Sequence, residues 1–294
     1  MSNKEQVSSL AAWIVVPVFN RRDLTLSCLE HLAATGVLDW AHVVVADGGS
    51  TDGTQDQIRL RFPQIEVLEG RWWWMEGIRA GMEHAQKQGA EVFVWLNDDC
   101  RPELGSVEAL VHHVRTTGFV CGGLTRSGGG VYAGMRKTIW GLRAVTPPEY
   151  DREAVIPVDS LVGNFVAIPI GGVVREGLPD AHQFPHSCAD HYYTIAVAKH
   201  CGGICHLLCA AQATDVHPAM GWERQSILRG SQPVPYIARQ LMQWTPRVGL
   251  QPELRLHRRI WGPWGYVLVL APWLKKWLLL AVRVTLPAGI RKKL

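Results

Sequence analysis

Two apolar segments of the sequence end abruptly in acidic residues, and this feature constrains the fold most. Residues 42–54 read HVVVADGGSTDGT, so three valines and an alanine are followed by Asp47, glycines, hydroxyl groups and a second carboxylate. Residues 91–100 read EVFVWLNDDC and end in the same way. A short continuous apolar run bounded by turn residues is typical of a parallel strand covered on both faces. The carboxyl end of such a strand is where open α/β sheets bind ligands.

Both strand ends also have purely structural interpretations. The first is an ordinary strand-to-helix loop, in which the glycines set the turn and Thr51 or Asp52 caps the next helix. In the second, residues 98–104 (DDCRPEL) would begin a helix whose dipole favours acid. That explains one carboxylate better than two, because adjacent carboxylates repel unless a positive group lies beside them. A Mg²⁺ or Mn²⁺ ion shared with a nucleotide diphosphate fits the pair better.

Apolar periodicity predicts an alternation of strands and helices through the first hundred residues. Strands that are joined by single helices predict right-handed βαβ crossovers and a parallel sheet. The Gly-, Thr- and Pro-rich stretch 121–150 indicates turns or a hairpin that leads into a second half. The predicted strands are 12–19, 43–46, 65–68 and 91–96, and the predicted helices are 23–34, 54–61 and 75–88.

Composition limits the class of protein. With 294 residues and 47% hydrophobic content, the chain can bury a large core and is not disordered. Seven scattered cysteines and a polar start, MSNKEQVSS, favour a reducing, cytosolic setting without a disulfide framework. Nine Lys or Arg and no Asp or Glu fall in residues 255–294, which leaves 21 basic against 26 acidic residues before them. The basic character therefore belongs to the end of the chain.

Five stretches together resemble a known family. The sequence resembles the family 2 glycosyltransferases of the GT-A fold, and within them the bacterial rhamnosyltransferase-like group. The resemblance implies a Rossmann-like, mostly parallel sheet flanked by helices in a catalytic domain of residues 1–250, with a C-terminal amphipathic helical tail over 251–294. Residues 10–120 would bind the nucleotide sugar and 121–250 the acceptor. The stretches are IVVPVFNRRDLTLSCLEHL, VVVADGGSTDGT, WWWMEGIRAG, VWLNDDC and FPHSCADHYYTIAVAKHCGG.

The resemblance assigns donor-binding roles to residues near the first two strand ends. Pro17, Phe19 and Asp47 would line the pocket for the base and ribose, with Asp47 accepting a hydrogen bond from the base. Arg71 lies where some members place a basic residue near the nucleotide. The three tryptophans at 72–74 have two interpretations, core packing or a stacking wall, and core packing is the expectation.

The resemblance also implies a metal site. Residues 97–99 resemble the family's DxD motif with Asn in the first place, a substitution seen in this group. Asp98 would then face the ribose or diphosphate, and Asp99 would hold Mn²⁺ or Mg²⁺. His217 resembles the histidine that completes the site in many GT-A enzymes, with Asp215 as a second candidate. A lone histidine is more often structural, so this role depends on its distance after the catalytic helix.

The catalytic base implied by the resemblance is Asp190. It lies where a loop is predicted to enter a helix, and Ala189 stands where the family usually has Glu, as rhamnosyltransferase-like members tolerate. Such a carboxylate can take the proton from an acceptor hydroxyl that attacks the anomeric carbon. The structural alternative is a helix N-cap.

Two further patterns carry no function. Cys201, Cys205 and Cys209 are spaced by four residues, unlike zinc knuckles, and GICHLLCAA is typical of a buried strand with small hydrophobes. The segment QLMQW at 240–244 is similar to the QxxRW signature of processive synthases but lacks the arginine. Transfer of a single sugar is the expectation.

The C-terminal tail predicts a membrane surface as partner. Its apolar stretch, residues 266–286, is interrupted by three cations and by Pro272, which argues against a membrane span. Two amphipathic helices in the interface fit better, and their cations would face anionic lipid. The alternative is a helical pair docked on the catalytic domain or across a homodimer. Nucleic acid is not expected, because the cations are interleaved with aliphatic residues. The tryptophans predicted at headgroup depth are Trp261, Trp264, Trp273 and Trp277.

The sequence thus predicts a metal-dependent inverting glycosyltransferase. It would move one sugar from a nucleotide-diphosphate sugar to a hydroxyl of a lipid-linked or polysaccharide acceptor, at the inner face of the cytoplasmic membrane. One alternative is a sugar-phosphate nucleotidyltransferase, although PVFNRRD lacks the glycine-rich triphosphate loop that this activity needs after the first strand. The other is a catalytically inactive scaffold of the same fold.

Overall fold

Strands and helices alternate through the first hundred residues, as the apolar runs predict. The computed structural model describes residues 11–127, 130–145, 151, 153–216, 227, 233–245 and 247–285. Each predicted element of this part is present, with its ends within about one residue of the prediction. The strands are β1 (Ala12–Val18), β2 (His42–Asp47), β3 (Glu66–Glu69) and β4 (Val92–Leu96), and the helices are α1 (Arg22–Ala34), α2 (Thr54–Arg61) and α3 (Trp74–Lys87), with a 3₁₀ turn at Val37–Asp39.

Within the described residues, the second half contains hairpins and six further strands of a ten-stranded sheet. The helix expected to start near Pro102 begins only at Ser106, because residues 100–102 pair with a later strand instead. The elements are β5 (Cys100–Pro102), α4 (Ser106–Thr117), β6 (Cys121–Ser127), β7 (Gly130–Tyr132), β8 (Gly134–Thr138), β9 (Gly141–Ala144), β10 (Val155–Val158), β11 (Ser160–Leu161), β12 (Phe165–Pro169), α5 (Ile170–Glu176), α6 (Ala189–Ala198), β13 (Cys205–Asp215), α7 (Val234–Leu241), α8 (Leu250–Trp261) and α9 (Trp264–Thr285).

The sheet has the strand order β10-β13-β6-β12-β4-β1-β2-β3, and in addition β5 pairs with β13 and β7 pairs with β6. Strands β4, β1, β2 and β3 are parallel to one another, whereas β12 runs antiparallel between β4 and β6. In the register of β1 and β2, Val18 lies opposite Asp47. The carboxyl ends of these parallel strands therefore meet at one edge, as expected from the two acidic strand ends. Strands β8, β9 and β11 form a separate small sheet.

The core lies on both faces of the sheet, which explains the continuous apolar runs. Alternate residues of β1 point to opposite faces: Trp13 and Val15 belong to one buried cluster, and Ile14 and Val16 to the other. Strand β13 is also buried, as predicted for GICHLLCAA, and Cys205 and Cys209 pack there as small hydrophobes.

Helix α8 begins at Leu250 and packs on the preceding part of the fold. Its Leu256 is only 2% exposed and joins the main core cluster. Helix α9 packs against α8 and α7. The indole Nε1 of Trp261 donates to the carbonyl of Thr138 at 3.1 Å, and that of Trp273 donates to the carbonyl of Leu241 at 3.0 Å. The structure therefore contains the docked helical pair that the sequence allowed as the alternative to helices in a membrane interface.

The position of four tail tryptophans at headgroup depth stays a prediction, but three of them pack against protein. Trp261 and Trp273 are half-buried against protein, and Trp277 packs edge-on against Trp273. Trp264 alone of the four is exposed. The helices bind the rest of the fold through the indoles of Trp261 and Trp273, because a half-buried indole gains both packing and a hydrogen bond there. No helix in the described ranges has the length and apolarity needed to cross a bilayer.

Candidate active site

A cleft of about 480 Å³ lies at the edge of the sheet where the parallel strands end. Pro17 and Phe19, at the end of β1, form part of its wall, and their contact with a donor stays a prediction. Phe19 is 56% exposed, so its ring is open to a ligand. Three arginines, Arg21, Arg71 and Arg247, also line the cleft. A cleft with an open aromatic ring and several cations suits a nucleotide with its phosphates.

Asp47 is fully buried at the end of β2, between two residues that line the cleft. Its Oδ1 accepts hydrogen bonds from the backbone N–H groups of Gly49 and Ser50 at 2.7 and 2.6 Å. Within the part of the chain that the structure describes, no donor reaches its Oδ2. A buried carboxylate oxygen without a hydrogen-bond partner destabilises the fold, so this atom is suited to accept a hydrogen bond from a ligand. Its position agrees with the predicted role in binding the base.

The residues after β4 carry an ion-pair cluster that the sequence did not predict. Arg21 contacts both acids: its Nη1 lies 2.9 Å from Asp98 Oδ1 and its Nη2 lies 2.7 Å from Asp99 Oδ2. Asp98 is 1% exposed, and its other oxygen accepts a hydrogen bond from Thr25 Oγ1 at 3.0 Å. Burial raises the pKa of Asp98 to about 6, against the opposing effect of Arg21. Both oxygens of Asp98 are thus bound inside the protein, and its contact with the donor stays a prediction.

Asp99 is less buried than Asp98 and lies beside a second carboxylate. Strand β13 pairs with β5 so that Asp215 lies opposite Cys100, and the N–H of Val216 donates to the carbonyl of Asp99 at 2.9 Å. Asp215 also acts electrostatically on Arg21. Two carboxylates from paired strands fit the oxygen ligands of Mg²⁺ or Mn²⁺, which often bind one or two protein carboxylates and substrate phosphates. The predicted ligand His217 lies outside the described residues.

Asp190 lies in the first turn of α6, and the structure does not make it the cap. Cys188 occupies the N-cap position. Asp190 Oδ2 accepts a hydrogen bond from the N–H of Gly163 at 2.9 Å, and Oδ1 accepts one from the N–H of His191 at 2.8 Å. The carboxylate is therefore held by the loop before β12 and by its own helix. Its role as base stays a prediction, and the N-cap alternative is wrong.

Trp74 connects Asp190 to the cleft. A Cβ added to Gly163 would lie 2.6 Å from the ring of Trp74 and 2.9 Å from Asp190 Cβ, so only glycine fits between them. The Trp74 Nε1 donates to Asn97 Oδ1 at 2.9 Å. Trp74 itself lines the cleft. The predicted base and the residues after β4 thus lie on one continuous surface.

The expectation that the three tryptophans pack in the core is wrong for Trp72 and Trp73, whereas Trp74 packs against the main core cluster. Trp72, Trp73 and Trp74 all line the cleft, and none of them is buried. The reason is that β3 ends at Glu69, so the segment crosses the open edge of the sheet rather than a covered face. Arg71 joins them in the lining, next to the nucleotide position that the family resemblance implies.

Two further cleft residues, Arg247 and His186, are not predicted from the sequence. The guanidinium of Arg247 lies 4.3 Å from the ring centre of Trp73, a cation–π contact. His186 lies edge-on to the same ring at 6.3 Å. Both come from loops far from the strand ends, so no local pattern marks them. Arg21 did have a signal, since the basic pair in PVFNRRD follows directly on β1.

Comparison with known proteins places this geometry in a family. The family model described as Glycosyl transferase family 2 matches residues 13–164, just over half of the chain. The chain belongs to glycosyl transferase family 2. The matched region contains both acidic strand ends, whereas Asp190 lies beyond it. No curated protein sequence matches the chain.

Solved structures show the GT-A glycosyltransferase fold. GalNAc-T7, solved with UDP, GalNAc and Mn²⁺, has a TM-score of 0.59 at 16% identity, over 72% of this chain and 45% of its own. The mannosyltransferase PcManGT from Pyrobaculum calidifontis, solved with GDP-Man and Mn²⁺, has a TM-score of 0.54 at 17% identity, over 95% and 77%. Residues 1–349 of S. aureus TarS, solved with UDP-GlcNAc, have a TM-score of 0.51 at 15% identity, over 76% and 68%. This chain therefore spans about half the length of GalNAc-T7.

Proposed function

We propose that this glycosyltransferase is a metal-dependent inverting enzyme that moves one sugar from a nucleotide-diphosphate sugar to an acceptor hydroxyl. The observation that carries the proposal is the arrangement around one cleft: Asp47 below it, the acids after β4 beside it, and Asp190 joined to it through Trp74. Asn97 and Ala189 are the substitutions that the rhamnosyltransferase-like group accepts, and we propose that the chain belongs to that group.

The donor binds in the cleft through residues with complementary chemistry. The unpartnered Oδ2 of Asp47 accepts a hydrogen bond from the base, which rests against Pro17 and Phe19. Arg71 and Arg247 lie in the cleft wall, where guanidinium groups bind phosphate oxygens in a bidentate manner. Neighbours of this fold were solved with UDP, UDP-GlcNAc and GDP-Man, which supports a nucleotide sugar as the donor class.

Asp190 acts as general base in this proposal. Its carboxylate takes the proton from an acceptor hydroxyl while that oxygen forms a bond to the anomeric carbon and the bond to the diphosphate breaks. Attack opposite the leaving group inverts the anomeric centre. Asp99 and Asp215 would hold Mn²⁺ or Mg²⁺, with the predicted ligand His217, and the bound ion would supply positive charge for the departing diphosphate.

The exposed surface of α9 is suited to contact a membrane, which favours an acceptor that is attached to the membrane. Its outward side chains recur every three or four residues and form one apolar stripe. The tip of the β8–β9 hairpin continues the stripe, since Trp264 Nε1 donates to the carbonyl of Ile139 at 3.2 Å. Ile139 and Trp140 are 71% and 66% exposed, and Leu274 and Leu278 are 59% and 65% exposed. We define this surface as the apolar face: Ile139, Trp140, Trp264, Val267, Leu270, Leu274 and Leu278.

The apolar face is surrounded by positive charge, which favours an anionic membrane as its partner. The hairpin contributes the exposed cations Arg136, Lys137 and Arg143, and α9 contributes Lys275. Neither the hairpin nor the chain after Glu253 contains an acidic residue. Apolar side chains inside a ring of cations are typical of peripheral membrane binding. We therefore propose a peripheral position on the inner face of the cytoplasmic membrane, with a lipid-linked or polysaccharide acceptor.

A screen of donor binding tests the enzymatic proposal. The protein is melted with nucleotide sugars of several bases and sugars, with and without Mn²⁺, and nucleoside diphosphate release is then measured with the best donor. We expect one donor class to raise the melting temperature only when Mn²⁺ is present, and to be turned over. Binding without turnover under any condition would favour the inactive scaffold, and release of pyrophosphate from a nucleoside triphosphate would favour the nucleotidyltransferase.

A further inference from the structure

A second cavity, of about 510 Å³, lies between the β8–β9 hairpin and helices α7, α8 and α9. Its volume falls within the range of about 300–1,000 Å³ that is common for small-molecule sites. Among the described residues, none of those given roles above as donor contacts, metal ligands or base lines it. It is therefore separate from the donor site.

The lining combines aromatic faces with amide groups and with three charged side chains, Arg143, Glu253 and Lys276. Trp140 and Trp273 contribute indole rings, and Gln240 and Gln243 contribute amides. Trp273 is fixed in orientation by the hydrogen bond from its Nε1 to the carbonyl of Leu241. A pyranose ring presents C–H bonds on its faces and hydroxyl groups around its rim, so aromatic rings and planar polar groups suit it.

His257 supplies an acceptor for a hydroxyl group in this cavity. Its Nδ1 lies 2.9 Å from the backbone carbonyl of Glu253. Because a carbonyl can only accept, Nδ1 carries the proton and Nε2 carries a lone pair in the neutral ring. Burial lowers the pKa of His257 and so favours this neutral form. The ring also stacks on Trp261 at 5.1 Å, which holds it in place.

The second cavity and the donor cleft share a wall. His186 and Arg247 line the donor cleft, whereas their neighbours Ser187 and Val248 line the second cavity. The two segments are joined by the hydrogen bond from the N–H of Ser187 to the carbonyl of Arg247 at 2.9 Å. Asp190 follows Ser187 by three residues, in the first turn of α6. A ligand of the second cavity thus lies next to the loop that carries the predicted base.

The opposite side of the cavity reaches the apolar face. Trp140 belongs to both, and Leu268 and Pro272 of α9 also line the cavity. A ligand could place a polar end against His257 while an apolar chain leaves along α9. From these juxtapositions we infer that the cavity binds the saccharide end of an amphiphilic acceptor, a lipid-linked glycoside, beside the donor cleft. This inference rests on the proposed glycosyltransferase function and names its acceptor site.

Octyl β-glycosides of common hexoses and N-acetylhexosamines, used below their critical micelle concentrations, test the inference. Binding is followed by tryptophan fluorescence and by saturation-transfer NMR, with n-octanol as the probe without a sugar. We expect at least one glycoside to bind saturably, more tightly than octanol, and without displacement by nucleoside diphosphate. His257→Phe and Gln240→Leu should each weaken this binding by about tenfold, the effect of one lost hydrogen bond. His112→Phe, on the exposed surface of α4, is the matched control and should bind like the parent.

The outcomes separate the inference from the proposed function. Donor binding with Mn²⁺ is measured by thermal shift on the same variants, and it should be unchanged in His257→Phe and Gln240→Leu. If donor binds but no glycoside binds saturably, the cavity assignment is overturned while the function stands. Glycoside binding that survives both substitutions, or that octanol matches, also overturns it. Failure of every donor to bind the parent would instead overturn the proposed function. Gln240→Leu decides the question if His257→Phe does not fold.

Discussion

Arg21 bridges Asp98 and Asp99 with one guanidinium, at 2.9 and 2.7 Å, and so resolves the repulsion between two adjacent carboxylates. The sequence explains this pair by a divalent cation, and the structure shows a side chain that neutralises it. Arg21 also lines the donor cleft, where a diphosphate would compete for its guanidinium. The two acids have different surroundings. Asp98 is buried and bound to Thr25, whereas Asp99 lies beside Asp215.

The first prediction separates these two acids. Asp99→Ala should abolish Mn²⁺-dependent binding of the donor while the protein melts within a few degrees of the parent. Asp98→Ala should instead destabilise the fold by about 1–3 kcal/mol, because it leaves buried partners unsatisfied. Thermal melting with and without Mn²⁺ and donor measures both effects. Unchanged donor and metal binding by Asp99→Ala would show that the DxD assignment is wrong.

Asp47→Asn tests the unpartnered carboxylate oxygen. The amide keeps one acceptor for the N–H groups of Gly49 and Ser50, but it places an NH₂ where the base would donate. We expect donor affinity to fall about tenfold or more with little change in melting temperature. Isothermal titration with the donor measures the effect, and Asp52→Asn, in the loop just before α2, is the control. Equal affinity of Asp47→Asn and parent would contradict the role in binding the base.

Asp190→Asn separates chemistry from binding. An amide cannot take a proton at neutral pH, and loss of a general base commonly slows a reaction by about 10²–10⁴. We expect nearly normal donor and metal binding, and transfer at least about a hundredfold slower. Asp180→Asn, in the loop before α6 where Asp180 binds the N–H groups of His182 and Gln183, is the matched control. Retained turnover with a competent acceptor would refute the assignment of Asp190 as base.

We expect the apolar face to bind lipid, and we expect a single acidic substitution on this face to abolish the binding. Leu274→Glu and Leu278→Glu place an acid on exposed positions of α9, so the fold should be unaffected. We expect both variants to stop cosedimenting with phosphatidylglycerol vesicles, whereas Leu104→Glu, which is more exposed and lies outside this surface, should bind like the parent. If the variants bind vesicles normally but change from dimer to monomer in solution, the face is an interface between two copies instead.

Helix α8 should be needed for stability. Leu256→Ala removes a side chain that is 2% exposed in the main core, and such changes cost about 2–5 kcal/mol. Leu270→Ala, on the exposed side of α9, should cost less than about 1 kcal/mol. Urea unfolding of both variants gives the comparison. Equal and small effects would mean that the helices after residue 250 contribute little to the stability of the fold.

The sequence determined the elements whose signals are local. Apolar runs with turn residues at their ends fixed β1, β2 and β4, because a strand covered on both faces needs continuous hydrophobic side chains. The parallel connections then placed Asp47 and Asp99 at one edge of the sheet without any knowledge of side-chain contacts. Family resemblance added Asp190, which no local pattern distinguishes from a helix cap.

Only the tertiary structure decided which distant residues meet. Arg21 reaches Asp98 and Asp99 across 77 and 78 positions of chain, and the hairpin at 134–144 meets α8 and α9 more than a hundred residues later. Such contacts depend on the paths of loops and on packing that no periodicity encodes. The same reason explains Trp72 and Trp73, whose composition predicts burial. Their position at the open edge of the sheet makes them the wall of the cleft instead.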